Sequence, residues 1–323
     1  MRTISFVDAL VEAQREEMER DGTVFLMGED AGYSGGAFGA TVGLWERFGP
    51  ERVRDTPISE AAIMGAAVGA AIAGMRPIVE MQYMEFLPYI DALVNLAAKL
   101  HLMSGGQVRV PLVLRGPLGA KGANGAQHTQ NFEAWFMHTP GLLVVMPSTP
   151  YDAKGLLKTA IREDNPVVFV EDKTIYFQLG EVPEGEYTIP FGQADVKRSG
   201  SDVTIVATGI TVGRALKAAR LLATEGIEAE VVDPRTLVPL DIATLIGSVR
   251  KTHHLVVAHQ APKTGGVGAE IAAQIQELAF DELDAPIVRV AGLDTPAPYY
   301  VELEKQALVS EGDIIAGVRQ VLA

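Results

Sequence analysis

A carboxylate at the mouth of an almost wholly apolar segment is the first place where this sequence could do chemistry. Glu60 closes the stretch Arg54-Asp55-Thr56-Pro57-Ile58-Ser59-Glu60, and the run behind it, Ala61 to Met75, holds only Ala, Gly, Ile, Val and Met. Pro57 disfavours helix at Thr56 and Ser59 suits an N-cap, so the pattern predicts a buried helix with Glu60 in its first turn. The helix dipole tolerates a carboxylate there. A capping glutamate is the plain alternative. Against it, the segment is too apolar for a solvated face, and Gly65, Gly69 and Ala73 recur at every fourth residue, which lets another backbone come close. A carboxylate held at such a meeting point is partly desolvated, which raises its pKa and suits it to proton exchange. The run is shorter than the ~20 residues of a membrane span, and Arg76-Pro77 ends it.

His128 follows the glycine-rich stretch Gly116 to Gln127; it reads as a general acid/base or as an ordinary loop histidine. Phe86, with Tyr83 and Tyr89 nearby, reads as core or as a platform for a flat ligand. Glu29 stands at the end of an apolar run, where ligands meet open α/β sheets. His138, His253, His254 and His259 lack metal-ligand spacing and are read as structural. Gly265-Gly-Val-Gly268 lacks the downstream acid of a dinucleotide fingerprint and is read as tight helix–strand packing. A P-loop, a Gly-x-Ser-x-Gly elbow and a His-Glu-x-x-His site are absent from the sequence.

These candidates must be positioned by a chain of 323 residues, long enough for two domains. Hydrophobic residues make up 48% and charged residues 21%, the balance of a globular protein with a sizeable core. A net charge of −14 argues against nucleic acid or an anionic membrane as partner. The lack of cysteine excludes disulfides and thiolate chemistry. Residues 1–18 read as an acidic amphipathic helix rather than a signal or transit peptide, so a soluble, cytoplasmic protein is expected.

Strand–helix alternation runs through most of the chain. Strands are predicted at Thr23–Met27, Arg76–Met81, Val110–Arg115, Leu142–Met146 and Val167–Val170, with helices over 86–103 and 152–162. The segment 32–39 reads as a glycine-rich loop. After a connector rich in proline and charge, strands at 203–207, 229–232, 255–258 and 287–290 alternate with helices near 211–224, 240–250, 267–280 and 311–322. The fold class is therefore α/β: two layered domains with mostly parallel sheets. The expected boundaries are 1–185, a connector at 186–200, and 201–323.

Several longer motifs carry a resemblance. They are Gly28-Glu29-Asp30, Asp55-Thr-Pro-Ile-Ser-Glu60, Met103-Ser-Gly-Gly106, Arg115-Gly-Pro117, Gln127-His128, Pro147 to Leu156, Asp233-Pro-Arg-Thr236 and Gly265 to Ile271. Nearly end to end, the chain resembles the beta subunit of the thiamine-diphosphate-dependent decarboxylase component of 2-oxoacid dehydrogenase complexes. That family spans pyruvate, branched-chain 2-oxoacid and acetoin dehydrogenases. The resemblance implies a transketolase-like pyrimidine-binding domain followed by a transketolase-type C-terminal domain.

It also implies roles. Glu60 would hydrogen-bond a ring nitrogen of the cofactor's aminopyrimidine, and Phe86 would lie against that ring with Gln82 beside it. His128 would line the entrance where the lipoyl group arrives, and Glu29 would help relay protons or remain a solvated strand-end carboxylate. A potassium ion would be held at Leu112, Ala160, Ile161, Glu163 and Asn165, mostly by carbonyl oxygens; Glu163 stands where an aspartate is common. No Gly-Asp-Gly motif for magnesium and the diphosphate is present, so a separate alpha subunit would supply that half in an α2β2 heterotetramer. The C-terminal domain would dock onto a dihydrolipoyl acyltransferase core. Two other readings stand beside decarboxylation of pyruvate or branched-chain 2-oxoacids: an acetoin dehydrogenase beta subunit, and a non-catalytic scaffolding subunit.

Overall fold

Ser5 begins the first helix as its side chain and that of Asp8 cap each other's backbone N–H groups. In the computed structural model, which describes residues 1–323, β1 (Arg2–Ser5) precedes α1 (Phe6–Arg20). There follow β2 (Val24–Glu29), α2 (Leu44–Phe48), β3 (Val53–Thr56), α3 (Glu60–Ile72) and β4 (Arg76–Glu80). A 3-10 turn at Leu87–Tyr89, a π-helix at Ala92–Ala97 and α4 (Leu100–Met103) come next, then β5 (Val113–Leu118). The single helix expected over 86–103 is thus broken into three. Pro88 sits in the first turn, and the Ala98 N–H reaches Leu93 O, five residues back. Gly141 presses on this break: a Cβ there would lie 1.9 Å from Ala98 O.

The chain divides into two units, Met1–Leu118 with Trp135–Phe191, and Gly119–Ala134 with Gly192–Ala323. The transfer of residues 119–134 to the second unit has no counterpart in the boundaries expected from sequence. After α5 (Glu133–Met137), the first unit continues through β6 (Leu143–Val145), α6 (Pro150–Arg162), β7 (Val167–Asp172) and β8 (Leu179–Val182). Its six central strands are parallel in the order β6-β7-β5-β4-β2-β3, and β1 pairs antiparallel with β8. β2, β5 and β7 are buried at every residue, as strands covered on both faces must be.

The second unit holds β9 (Asp195–Arg198), β10 (Val203–Ala207), α7 (Ile210–Ala223), β11 (Ala229–Asp233), β12 (Thr236–Val238) and α8 (Ile242–Thr252). β13 (Leu255–Pro262), α9 (Val267–Ala279), β14 (Val288–Gly292), α10 (Val301–Ala307) and α11 (Glu311–Val321) complete it. Its sheet runs β14-β13-β10-β11-β9, parallel except for the antiparallel edge β9. The Gly265–Gly268 turn packs as the sequence implies, since Cβ atoms on Gly266 and Gly268 would meet the His259 ring at 2.4 and 2.7 Å.

α3 departs from expectation in one respect. Ile63, Met64, Ala67, Val68 and Ala71 are buried, but Ala61, Ala62, Gly65, Ala66 and Gly69 are exposed. The segment is apolar all round, yet within this chain only half of it is covered.

Candidate functional site

β2 runs two residues further than the apolar run suggested and carries Gly28 and Glu29 inside the sheet. Gly28 is needed there because a Cβ would lie 2.6 Å from the Glu80 carbonyl oxygen of the neighbouring strand. Glu29 ends the strand 7% exposed, and its Oε1 has no hydrogen-bond partner. Glu60 starts α3 half-buried. Ser59 occupies the N-cap position, but its hydroxyl turns back to donate to Pro57 O at 3.0 Å rather than capping the helix. Burial first, then the Glu60 charge and that of Asp30, raises the pKa of Glu29; a hydrogen bond from the Ser59 N–H opposes the rise. The structure therefore pairs the two carboxylates that sequence reading named separately.

The aromatic wall is built from residues 81–89. The Phe86 ring is half-buried and lies 6.3 Å from the Tyr83 ring, tilted by 53°. Gln82 is half-buried in the same stretch. Tyr89 is fully buried and donates to Met84 O at 2.7 Å; burial, with the charges of Glu85 and Glu60, pushes its pKa up. Glu29, Glu60, Glu85, Tyr89 and Phe86 thus belong to one neighbourhood of the first unit.

Two features of this neighbourhood were missed from sequence. Asp55, from the same motif as Glu60, accepts the Gly32 N–H at 2.6 Å and the Tyr33 N–H at 3.2 Å, tying down the glycine loop. Behind it, buried Arg115 bonds Glu80 at 2.5 Å and both oxygens of Glu171 at 2.6 Å, with Tyr176 donating to Glu171. The Tyr176 ring stacks on Phe38 of that loop at 5.0 Å. The alternation of strands signals none of these contacts, because all but the Tyr176–Glu171 bond join residues far apart in the chain.

His128 lies in the second unit, half-buried in a 3-10 turn at Ala126–His128, with its N–H donating to Gly125 O at 3.3 Å. Its loop is fastened by Ala123 N–H to buried Glu304 at 3.0 Å and by the Tyr299 ring packed on Gly125, where φ is +76° and a Cβ would clash at 2.5 Å. A cavity of about 490 Å³ opens beside the loop, lined by Phe132, Gln260, Pro262, Leu293 and Leu308 among others.

The positions named for potassium are otherwise engaged. Arg76 donates to Ile161 O at 3.1 Å and Glu163 O at 2.9 Å, while Leu112 O accepts from Val167 and Ala160 O from Glu163. The Glu163 carboxylate turns inward to accept from Asp164 N, Asn165 N and Asn165 Nδ2. A guanidinium already supplies positive charge to two of these carbonyls, so the set does not present a free cage, and no group of acidic or histidine side chains forms a metal cluster. For a flat, nitrogen-bearing heterocycle the fit is better. The orphaned Glu29 oxygen, the adjoining Glu60 carboxylate and the half-open Phe86 ring provide polar and stacking contacts together.

Comparison with known proteins agrees. The transketolase pyrimidine-binding domain matches residues 2–178, and the transketolase C-terminal domain residues 192–314. The pyruvate dehydrogenase E1 component subunit beta of Rickettsia felis is 51% identical over 319 residues, 98% of each chain. The 2-oxoisovalerate dehydrogenase subunit beta of Bacillus subtilis is 47% identical over 324 residues, 99% of each chain. The chain belongs to the E1 beta subunits of 2-oxoacid dehydrogenases. Among solved structures, this E1 beta chain is similar to a split-gene transketolase described as an inactive beta4 tetramer, with a TM-score of 0.81, 25% identity and 99% and 98% of the two chains covered. The α/β class and the two transketolase-type domains read from the sequence stand. No helix of this E1 beta chain is long and apolar enough to cross a membrane.

Proposed function

We propose that this E1 beta chain supplies the pyrimidine half of a thiamine diphosphate site and, with an alpha subunit, decarboxylates a 2-oxoacid and passes the acyl group to lipoamide. Pyruvate and branched-chain 2-oxoacids are the proposed substrates, in line with the names of its relatives. The observation that carries the reading is the Glu29–Glu60 pair, where the end of β2 meets the start of α3, with α3 packed on the Leu87–Tyr89 turn that follows Phe86. When bound, the cofactor supplies a nucleophilic thiazolium carbon and an electron sink.

Glu60 would hold a proton against a ring nitrogen of the aminopyrimidine, and Phe86 with Gln82 would orient that ring. Glu29, kept protonated more readily by burial and by the Glu60 charge, would exchange protons with its neighbour. Its orphaned oxygen gives it a free acceptor for that exchange. His128 would meet the incoming lipoyl group. The chain carries no Gly-Asp-Gly motif, so magnesium and the diphosphate fall to the alpha subunit in an α2β2 assembly. The open face of α3 is the candidate for close subunit contact, and a dihydrolipoyl acyltransferase core is the proposed larger partner. Cytoplasm is the proposed compartment. A potassium ion at Leu112, Ala160, Ile161, Glu163 and Asn165 rests on resemblance alone, and two of those carbonyls, Ile161 and Glu163, already accept from Arg76.

Glu60→Gln tests the reading in the reconstituted α2β2 enzyme. Loss of the proton-exchanging group should lower decarboxylation at least about 10²-fold, with tetramer assembly intact by light scattering. Unchanged turnover would favour a scaffolding subunit instead. Parallel assays on pyruvate, branched-chain 2-oxoacids and acetoin assign the substrate.

A further inference from the structure

Directly before Phe86 stands a charged residue that the chemistry above does not use. Glu85 is 4% exposed and its carboxylate is paired with the ammonium of Lys173, itself wholly buried at the residue following β7. The second oxygen, Glu85 Oε2, has no hydrogen-bond partner. Removing two opposite charges from water costs several kcal/mol per ion, and such a pair recovers it only with full hydrogen bonding. Here that bonding is incomplete. Burial pushes the Glu85 carboxyl up to about 7 and draws the Lys173 pKa down, so the pair is retained at a cost to stability.

The geometry gives the pair a purpose. The Lys173 ammonium sits 4.1 Å from the centroid of the Tyr83 ring, a close cation–π contact. Tyr83 in turn lies against Phe86, and the Phe86 N–H donates to Tyr83 O at 3.1 Å. Lys173 therefore grips the segment at two points, the ring of Tyr83 and the carboxylate of Glu85, both within the turn that leads into Phe86. Its own N–H is fixed to Leu118 O at 3.1 Å, at the end of β5. We propose that the Lys173–Glu85 pair positions Phe86, holding its ring at the angle that the cofactor's aminopyrimidine requires. Both are positioning residues, and the inference rests on the assignment of Phe86 to that ring.

The test uses the assembled α2β2 complex stripped of cofactor and titrated with thiamine diphosphate and magnesium, followed by quenching of intrinsic fluorescence. Four variants are compared: Phe86→Ala, Lys173→Met, Lys173→Arg, and the double variant Lys173→Met with Glu85→Met. The double variant removes both charges while keeping apolar volume, a change that buried pairs commonly tolerate with little loss of stability. Positioning predicts a Kd for thiamine diphosphate raised roughly tenfold in Lys173→Met and in the double variant. The KM for cofactor should rise with it, kcat at saturation should change less, and Lys173→Arg, which keeps the charge over the Tyr83 ring but alters the head group's shape, should retain more affinity than Lys173→Met. Wild-type cofactor affinity in the double variant overturns the proposal. Failure of the double variant to assemble overturns it as well, since the pair then serves folding. Wild-type affinity in Phe86→Ala overturns the assignment of Phe86 itself. Weakened binding there beside normal binding in the double variant removes the positioning role alone.

Discussion

Among single residues, His259 shows how burial sets a titration. Its side chain is wholly enclosed against the Gly265–Gly268 turn, and burial, assisted by the Arg289 charge, lowers its pKa from 6.5 to about 4. The folded state thus binds this proton less readily than the unfolded chain. Above pH 6.5 both states hold a neutral ring and the group contributes nothing to the slope. As pH falls from 6.5 towards 4 the unfolded chain takes up the proton first, and about 3 kcal/mol of stability is lost. His259→Gln should flatten the acid limb of a Tm-against-pH curve over that window; an unchanged limb rules the assignment out. At this scale the sequence was informative where a motif concentrated the signal. Glu60 stands at the first residue of α3, as Pro57 and Ser59 imply. Lys173 and Glu85 gave no such signal, because their pairing joins segments 88 residues apart.

Elements were legible in type more than in extent. β2 and β5 end beyond the runs that announced them, carrying Glu29 and the Gly116-Pro117-Leu118 stretch into the sheet. Backbone pairing with neighbouring strands decides those ends, and that information is not local. Residues 1–18 read as an acidic amphipathic helix, and such a helix ordinarily turns its charges to water. Instead Glu12, Glu16 and Glu17 meet the cations of α6: Lys154 bonds Glu12 at 3.2 Å and Glu16 at 2.6 Å, Lys158 bonds Glu16 at 2.6 Å, and Arg162 bonds Glu17 at 2.5 Å. Amphipathic spacing cannot reveal that a second helix answers each charge. Lys158→Met removes one cation from a network in which Glu16 keeps Lys154 and Glu17 keeps Arg162 and Arg20. The expected cost is about 1–2 kcal/mol, read as a lower urea midpoint with an unchanged m-value. A loss below about 0.5 kcal/mol would show that Lys154 and Arg162 carry the network without it.

For the whole molecule, the exposed stripe of α3 has the clearest consequence for assembly. Gly65 and Gly69 have nothing within 4 Å of a Cβ position, so a larger side chain meets no obstacle inside this chain. Gly69→Leu should leave the far-UV circular dichroism of the chain unchanged and abolish α2β2 assembly in a sedimentation experiment, if that stripe lies at a subunit contact. Normal assembly would place the contact elsewhere. The acidic balance, the lack of cysteine and the two-part organisation were all readable from composition and length. The reassignment of residues 119–134 was not, because a glycine-rich tract carries no periodicity to say which core it joins.

That excursion bears on how the protein is made. The first unit's last segment ends at Phe191, but Gly119–Ala134 belongs with Gly192–Ala323, still to be translated. For on the order of ten seconds at ordinary elongation speed, each nascent chain trails a loop whose resting place does not yet exist. Its first half, Gly119-Ala-Lys-Gly-Ala-Asn-Gly-Ala-Gln127, holds no large apolar side chain, so it offers chaperones and neighbouring polysomes little to seize while it waits.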